Sequence, residues 1–309
     1  MSVTDSDELA AATPAAAAAT PATVAAKVRP GREALWFARR NRKLVLGLGV
    51  VLFFLAVAVA GPLVNTHGPN EYVGPPSQRP SGDWWFGTTM FGQDVFAQFA
   101  HGLRATFLVG LLGGGLAAVL GMLVGFTAGW RGGVVDEVLN MVTNVVLVIP
   151  TLAVLLIIAT YLRVRGVVPE AVFIGVFSWP WVARAVRAQT FSLRSRDFVD
   201  LARLSGAGGS RIVLRELAPN MSSYLFMTFI LLFGGAVLTA ATLDFIGLGP
   251  TDGMSLGLMM NNAVLWSALP LGMWWWFVPP GLGITLIVGS LYIMNVGLDE
   301  VFNPRLREL

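Results

Sequence analysis

Six long apolar stretches, separated by shorter polar segments, constrain the fold of this chain more than any other feature of its sequence. A helix needs about 20 residues to cross the roughly 30 Å of bilayer hydrocarbon. The six stretches cover, with approximate bounds, 44–64, 105–130, 138–161, 171–189, 221–243 and 273–296. Only 13% of the residues are charged, against about 25% in soluble domains. The sequence therefore predicts an all-α polytopic membrane protein with six transmembrane helices.

The distribution of basic residues predicts how these spans are oriented. With the N-terminus inside, 17 lysines and arginines fall in cytoplasmic segments and 4 fall outside. Such an excess is typical of cytoplasmic loops. We therefore expect both termini, and the loop between the fourth and fifth spans, to be cytoplasmic.

The chain divides into five segments by composition. Residues 1–30 are rich in Ala, Thr and Pro and are expected to form a disordered cytoplasmic tail. Residues 31–66 hold the first span, and basic and aromatic residues in 31–42 favour an interfacial helix over a merely basic flank. The remaining segments are an extracytoplasmic segment over 67–104, a core of five spans over 105–298 and a cytoplasmic tail over 299–309.

The most polar internal stretch runs over 194–220 and is named here the knob. Its sequence predicts a short helix over Arg194–Leu204, a glycine break, and a second helix with Ser210 as N-cap, running toward Pro219. Phe198, Leu201 and Leu204 are expected to form the buried apolar face of the first helix. The residues alone leave two interpretations open: a solvated basic loop, or a docking surface for a cytoplasmic protein.

Several features of the spans predict helix packing. Small residues at every fourth position of the second span predict a tightly packed face: Gly113, Ala117, Gly121, Gly125 and Gly129. Pro150 and Pro180 are expected to kink the third and fourth spans.

Polar and aromatic side chains in the spans suggest further contacts. Asn140 and Asn144 could hydrogen-bond a neighbouring helix or line a polar path. Trp274–Trp276 are expected to anchor the sixth span in an aromatic belt at the membrane surface. Gly234 and Gly235 are candidates for close helix contacts, within the chain or with another one.

The sequence offers no familiar catalytic pattern. It has no phosphate-binding G-x-x-x-x-G-K-[ST] loop, no G-x-S-x-G elbow, and only two histidines, His67 and His101, far apart in the chain. Asp244 and Asp252 are expected to lie outside the membrane, which leaves no carboxylate at its middle. This counts against an ion-coupled transporter, and a membrane enzyme fits the sequence least well.

Five ordered motifs carry a resemblance to a known family. The pattern Asp200-Leu201-Ala202, then Gly206, then Pro219-Asn220 resembles the EAA motif of ABC-importer membrane subunits. The segments 179–189, 86–104, 245–249 and 303–306 resemble the matching parts of the dipeptide/oligopeptide/nickel branch. The resemblance covers about residues 31–307 and is closest to the C-type permease of the pair.

This resemblance implies a fold and a division of labour. It implies a type I ABC-importer permease in a bacterial inner membrane, with cytoplasmic coupling helices, no cofactor and no ATPase site of its own. ATP and Mg²⁺ would bind to cytoplasmic ABC ATPase subunits. A second related permease and an extracytoplasmic substrate-binding protein would complete the transporter, and nucleic acid is not an expected partner. The implied ATPase-coupling residues are Asp197, Asp200, Leu201, Ala202, Gly206 and Pro219.

Some positions depart from the family pattern. Leu201 stands where alanine is usual, Asp200 shortens a glutamate, and Glu216 stands where histidine is common. Thr89 and Gln93 replace an aspartate and an arginine in the outer motif. These changes are expected to tune contacts with partner subunits. Peptides are the expected cargo, with nickel, haem or other small solutes as alternatives.

Overall fold

The computed structural model describes residues 41–161, 166–251 and 253–302, and its regular secondary structure in these ranges is helical. Apart from an isolated bridge between Thr88 and Asp94, the described residues contain no β-structure. The predicted all-α class is therefore confirmed. The helices are α1 Arg42–Val64, α2 Val95–Arg131, α3 Gly133–Val148, α4 Thr151–Tyr161, α5 Val167–Ser178, α6 Pro180–Leu193, α7 Asp197–Leu204, α8 Gly209–Ile212, a π-helical turn Val213–Leu217, α9 Ala218–Asn220, α10 Ser222–Phe245, α11 Leu256–Leu265 and α12 Trp274–Phe302.

Within the described ranges, four unbroken helices are long and apolar enough to cross a membrane: α1, α2, α10 and α12. The expected third span is divided into α3 and α4, which meet at a bend of 75°. Pro150 lies at this break, where its missing N–H and its ring disfavour a continuous helix. Counting the bent pair as one span gives five, so the count of six remains a prediction.

The expected fourth span is also divided, into α5 and α6. Trp179 separates the two helices, and Pro180 occupies the first turn of α6, where proline is tolerated because that N–H has no intrahelical partner. Both prolines singled out from the sequence therefore mark helix boundaries.

Helix α2 is the central element, and it packs against α1, α5, α6 and α10. It is 37 residues long and begins at Val95, well before the expected start of the span near residue 105. Asp94 caps it, accepting a hydrogen bond from the N–H of Phe96 at 2.8 Å.

The small-residue face of α2 packs within the chain, against α5 and α6. A Cβ on Gly121 would lie 2.7 Å from the Val182 Cβ, and one on Gly129 would lie 2.7 Å from the Thr190 Cβ. The face thus permits the close helix approach that its spacing predicts. By contrast, a Cβ on Gly235 of α10 would meet no atom of the described chain within 4 Å.

One end of the bundle, named here the loop end, is formed by residues 65–94, α11 and the start of α12. Trp275 donates a hydrogen bond from Nε1 to the Thr88 carbonyl oxygen at 3.1 Å. Trp276 is 1% exposed, whereas Trp274 is 55% exposed. The expectation that all three tryptophans form a membrane-surface belt is therefore wrong for Trp275 and Trp276, which pack inside the protein.

Some expectations fall on parts of the chain that the structure does not describe. These are the disordered tail over 1–30, the interfacial helix over 31–42 except its last two residues, Asp252, and the last residues of the tail over 299–309.

Candidate functional site: the knob

Helix α7, Asp197–Leu204, forms the exposed part of the knob; it ends where the sequence predicts and begins three residues after the predicted start at Arg194. Asp197 and Asp200 lie in its first turn and Arg203 in its last, an arrangement that complements the helix dipole. Asp200 also accepts a hydrogen bond from Arg203 at 2.9 Å. Both aspartates are exposed.

Gly206 ends this helix in the way that its sequence position suggests. Its φ of +76° is a conformation that side chains with a Cβ rarely adopt. The Gly206 N–H donates to the Arg203 carbonyl oxygen at 2.9 Å, and the Ala207 N–H donates to the Ala202 carbonyl oxygen at 3.1 Å. This pair of bonds is a Schellman motif, which turns the chain sharply toward the next helix.

The second half of the knob differs from its sequence prediction. Gly208, not Ser210, is the N-cap, and it makes no side-chain capping bond. A short α-helix then passes into the π-helical turn Val213–Leu217, a feature that has no clear sequence signal and is frequent at functional sites. Pro219 lies just before α10, as expected for the junction with the next span.

The buried face of α7 also differs from the prediction. Val199 is fully buried and packs with Ile212 and Leu217, and Phe198 and Ala202 lie half-buried against them. Leu201 and Leu204 are 64% and 85% exposed, so their predicted burial is wrong. Both leucines, together with the 70% exposed Leu214, are apolar side chains that the described chain leaves uncovered.

The knob is joined to α2 mainly through Trp130. The Arg203 guanidinium lies 5.2 Å from the centroid of a Trp130 ring, a cation–π distance. A Cβ on Gly209 would lie 2.5 Å from Trp130 Nε1, so only glycine fits there without a shift. Arg194 adds a hydrogen bond to the Gly129 carbonyl oxygen at 3.2 Å. Trp130, near the end of α2, therefore contacts both halves of the knob.

Polar side chains tie α3 to α6 near the same end. Arg187 Nη2 donates to Asp136 Oδ2 at 2.6 Å, and Arg184 Nη2 donates to Asn144 Oδ1 at 2.7 Å. Of the two uses considered for Asn144, the contact between helices is the one the structure shows.

An apolar groove of about 680 Å³ lies between α2 and the knob. Leu123, Phe126 and Trp130 line its α2 side, and Val213 and Leu214 line its knob side. The groove is wide enough for large apolar side chains of another helix.

Thr89 and Gln93, which depart from the family pattern in the outer motif, are hydrogen-bonded to each other within the loop end. Thr89 is fully buried, and its Oγ1 accepts from the N–H of Gln93 at 3.2 Å. Gln93 Oε1 accepts from Gln98 Nε2 at 3.0 Å. The structure thus places these two side chains in a network inside the chain.

A buried acid and a half-buried acid lie at the loop end, away from the knob. Asp244 is in the last turn of α10 and 2% exposed, so it lies in a helix and not in a loop, and its position outside the membrane stays a prediction. Glu170 lies in the first turn of α5 and was not predicted as a site residue from the sequence. An acid within an apolar segment nevertheless indicates a candidate functional residue. Within the described ranges, no group of three or more potential metal-ligating residues is present.

Comparison with known protein families identifies the family to which this chain belongs. Residues 121–308 match the model of the binding-protein-dependent transport system inner membrane component. The chain belongs to this family. It is thus a multi-pass permease component of an ABC importer, in which a binding protein and an ATPase work with the membrane subunit.

Individual relatives resemble the permease over most of its length. A dipeptide transport system permease, DppC, of Bacillus subtilis is 28% identical over 271 residues, covering 87% of this permease and 84% of the relative. A Brucella abortus protein named for a peptide transport system permease is 32% identical over 272 residues, covering 87% and 90%. A DppC of Alkalihalophilus pseudofirmus is 28% identical over 285 residues, covering 91% of each.

Proposed function

We propose that this permease forms part of the translocation path of an ATP-driven peptide importer and receives work from a cytoplasmic ATPase through the knob. The observation that carries the proposal is the exposed pair Leu201 and Leu204 on a short helix that the Gly206 turn holds. A short, internally packed helix transmits displacement, whereas a flexible loop would absorb it. Apolar side chains exposed at a polar surface are typical of a docking site.

The coupling residues of this proposal divide into two kinds. Leu201 and Leu204, with the acids Asp197 and Asp200 beside them, present a surface for the ATPase. Ala202, Gly206 and Pro219 shape the knob behind that surface. The same proposal places both termini in the cytoplasm and ATP and Mg²⁺ on the partner subunits, with no cofactor or ATPase site on this chain. The distribution of basic residues supports the orientation.

Peptides are the cargo that the named relatives support. Nickel, haem and other small solutes remain alternatives within the same mechanism. Binding of candidate ligands to the cognate extracytoplasmic binding protein separates these cargoes, because that protein selects what reaches the permease. An ion-coupled transporter is the rival from another class, and uptake driven by an ion gradient without ATPase would favour it.

The first test is Gly206→Arg in the assembled transporter. A Cβ at this position would meet no atom of the described chain within 4 Å, so an arginine side chain could extend into the space proposed for the ATPase, and the positive φ would strain the turn. Uptake should be abolished while the amount of permease in the membrane stays normal. Normal uptake by a well-expressed variant would contradict the proposal.

We further propose that a second, related permease subunit contributes to the groove between α2 and the knob. The chain has no cysteine, so single-cysteine variants report contacts without background. Leu123→Cys in the groove, labelled with a reagent that carries a photoreactive group, should cross-link to the second permease on illumination. Leu46→Cys is the matched control: Leu46 lies on α1 and is 58% exposed, and this variant should not cross-link to the second permease. Equal cross-linking at both positions would remove this groove as the interface.

A further inference from the structure

Two acidic side chains from different helices meet in the interior of the loop end. Glu170 lies in the first turn of α5 and Asp244 in the last turn of α10. Both line a cavity of about 10 Å³, and their carboxyl groups are close enough to interact directly. This volume has room for at most one water molecule.

The hydrogen bonds around the pair leave one oxygen on each acid without a donor. Asp244 Oδ2 accepts from Ser255 Oγ at 2.5 Å. Asp244 Oδ1 and Glu170 Oε1 are buried and accept from no donor of the described chain. Two ionised carboxylates have no hydrogen to share, because each can only accept. A single proton between the two acids would supply the missing donor.

No positive charge from the described residues compensates the pair. Side chains from α2, α4, α5, α10 and α11 line the two cavities that flank Glu170, and Glu170 and Asp244 are the titratable ones among them. Arg163, Arg165 and Asp252 are near in sequence and lie outside the described residues. Two like charges this close, one of them buried, would repel each other strongly.

We propose that Glu170 and Asp244 bind one proton between them, and that this proton clasps α5, α10 and the start of α11 together. Ser255, the partner of Asp244, also caps α11 by accepting from the Leu258 N–H at 3.0 Å. Gly257 of α11 approaches so closely that an added Cβ would lie 2.7 Å from the Asp244 Cβ. Loss of the proton leaves two adjacent negative charges, which separate α5 from α10 and loosen the loop end.

The site is a clasp rather than part of a proton pathway. The two cavities beside Glu170 measure about 10 and 20 Å³, which is too small for a continuous file of water. Their walls are mostly apolar. The proposal holds whatever cargo the transporter carries and does not depend on the role of the knob.

Infrared spectroscopy of the assembled transporter in lipid nanodiscs at neutral pH tests the proton directly. The wild-type protein should show the C=O stretching band of a protonated carboxylic acid. In D₂O this band should change frequency only slowly, because the acid proton exchanges slowly with the solvent. Glu170→Gln and Asp244→Asn should each remove this band. Glu137→Gln changes an exposed acid and should leave it intact. Absence of the band in the wild type, as an ion pair of Glu170 with an arginine would cause, overturns the proposal.

Thermal unfolding then tests the clasp. A glutamine amide can donate to Asp244 as the protonated acid does, so Glu170→Gln should keep the unfolding temperature, whereas Glu170→Ala should lower it. Raising the pH should lower the unfolding temperature of the wild type more than that of Glu170→Gln. Equal pH dependence of the two proteins would contradict the clasp, even if the infrared band is present.

Discussion

The loop end buries many large apolar side chains in a core of its own, whereas the knob has a very small core and leaves most of its leucines exposed. Trp276, Leu256 and Met259 are fully buried in one continuous cluster at the loop end. The knob has a core of only three buried residues, Val199, Ile212 and Leu217. Its leucines at 201, 204 and 214 face outward. The loop end therefore has a large core of its own, whereas the knob, with its small core, has the surface of an element that packs against something else.

The largest expected effect is on the stability of the loop end. Trp276→Ala removes a fully buried side chain and should reduce the free energy of unfolding by about 3–5 kcal/mol. Trp276 Nε1 has no hydrogen-bond partner among the described residues, so the loss is one of packing. The unfolding temperature of the purified permease measures it.

The neighbouring tryptophan is the matched control. Trp274 is 55% exposed, so Trp274→Ala should change the free energy of unfolding much less. Equal losses at the two positions would mean that the loop end is not packed as described.

A smaller effect on stability, with a larger one on coupling, is expected at Trp130. Trp130→Ala removes the ring between Arg203 and α2. Because this ring is only half-buried, the stability loss should be about 2–3 kcal/mol, below the range for a fully buried aromatic side chain. Peptide uptake should fall several-fold while ATP hydrolysis by the assembled transporter continues.

The conservative variant separates coupling from folding. Trp130→Phe keeps an aromatic face for Arg203 and should retain most uptake. If ATP hydrolysis and uptake fall together in Trp130→Ala, the indole supports only the fold of the knob and does not transmit motion.

Local signals predicted the outline of the knob but not its orientation. Gly206 marks the end of α7, and the acids in its first turn favour a helix here, but the helix begins at Asp197 and not at the predicted Arg194. Apolar residues occur around most of this short helix, at 198, 199, 201 and 204. Which of them becomes buried depends on Ile212 and Leu217, which arrive from the next segment. The sequence therefore could not show that Val199 faces inward and Leu204 outward.

Contacts between distant segments also explain why the sequence did not predict the arrangement of the loop end. Prolines at 150 and 180 predicted interruptions because their effect on a helix is local. The burial of Asp244 depends on Ser255, which follows a turn, and on Glu170, which lies on another helix. A hydropathy profile shows how long a span is but not which helix ends meet. For this reason an acid at the edge of a span looked like part of a loop.

The smallest effect on stability, and the sharpest test of the comparison, is expected at Leu204. Leu204→Ser alters an 85% exposed side chain, so the free energy of unfolding should change by no more than about 0.5 kcal/mol. If the knob docks on the ATPase, less ATPase should nevertheless co-purify with the tagged variant than with the wild-type permease after gentle extraction. Loss of an apolar contact at an interface raises dissociation even when the free subunit is intact.

Leu265→Ser is the matched control, because Leu265 is a 66% exposed leucine at the loop end. This variant should recover the wild-type amount of ATPase. Equal recovery with both variants would mean that the exposed leucine at 204 does not contact the ATPase. The difference between the two ends would then reflect only how each one folds. Reduced recovery with Leu204→Ser alone would instead tie the uncovered face of the knob to the partner that supplies the work.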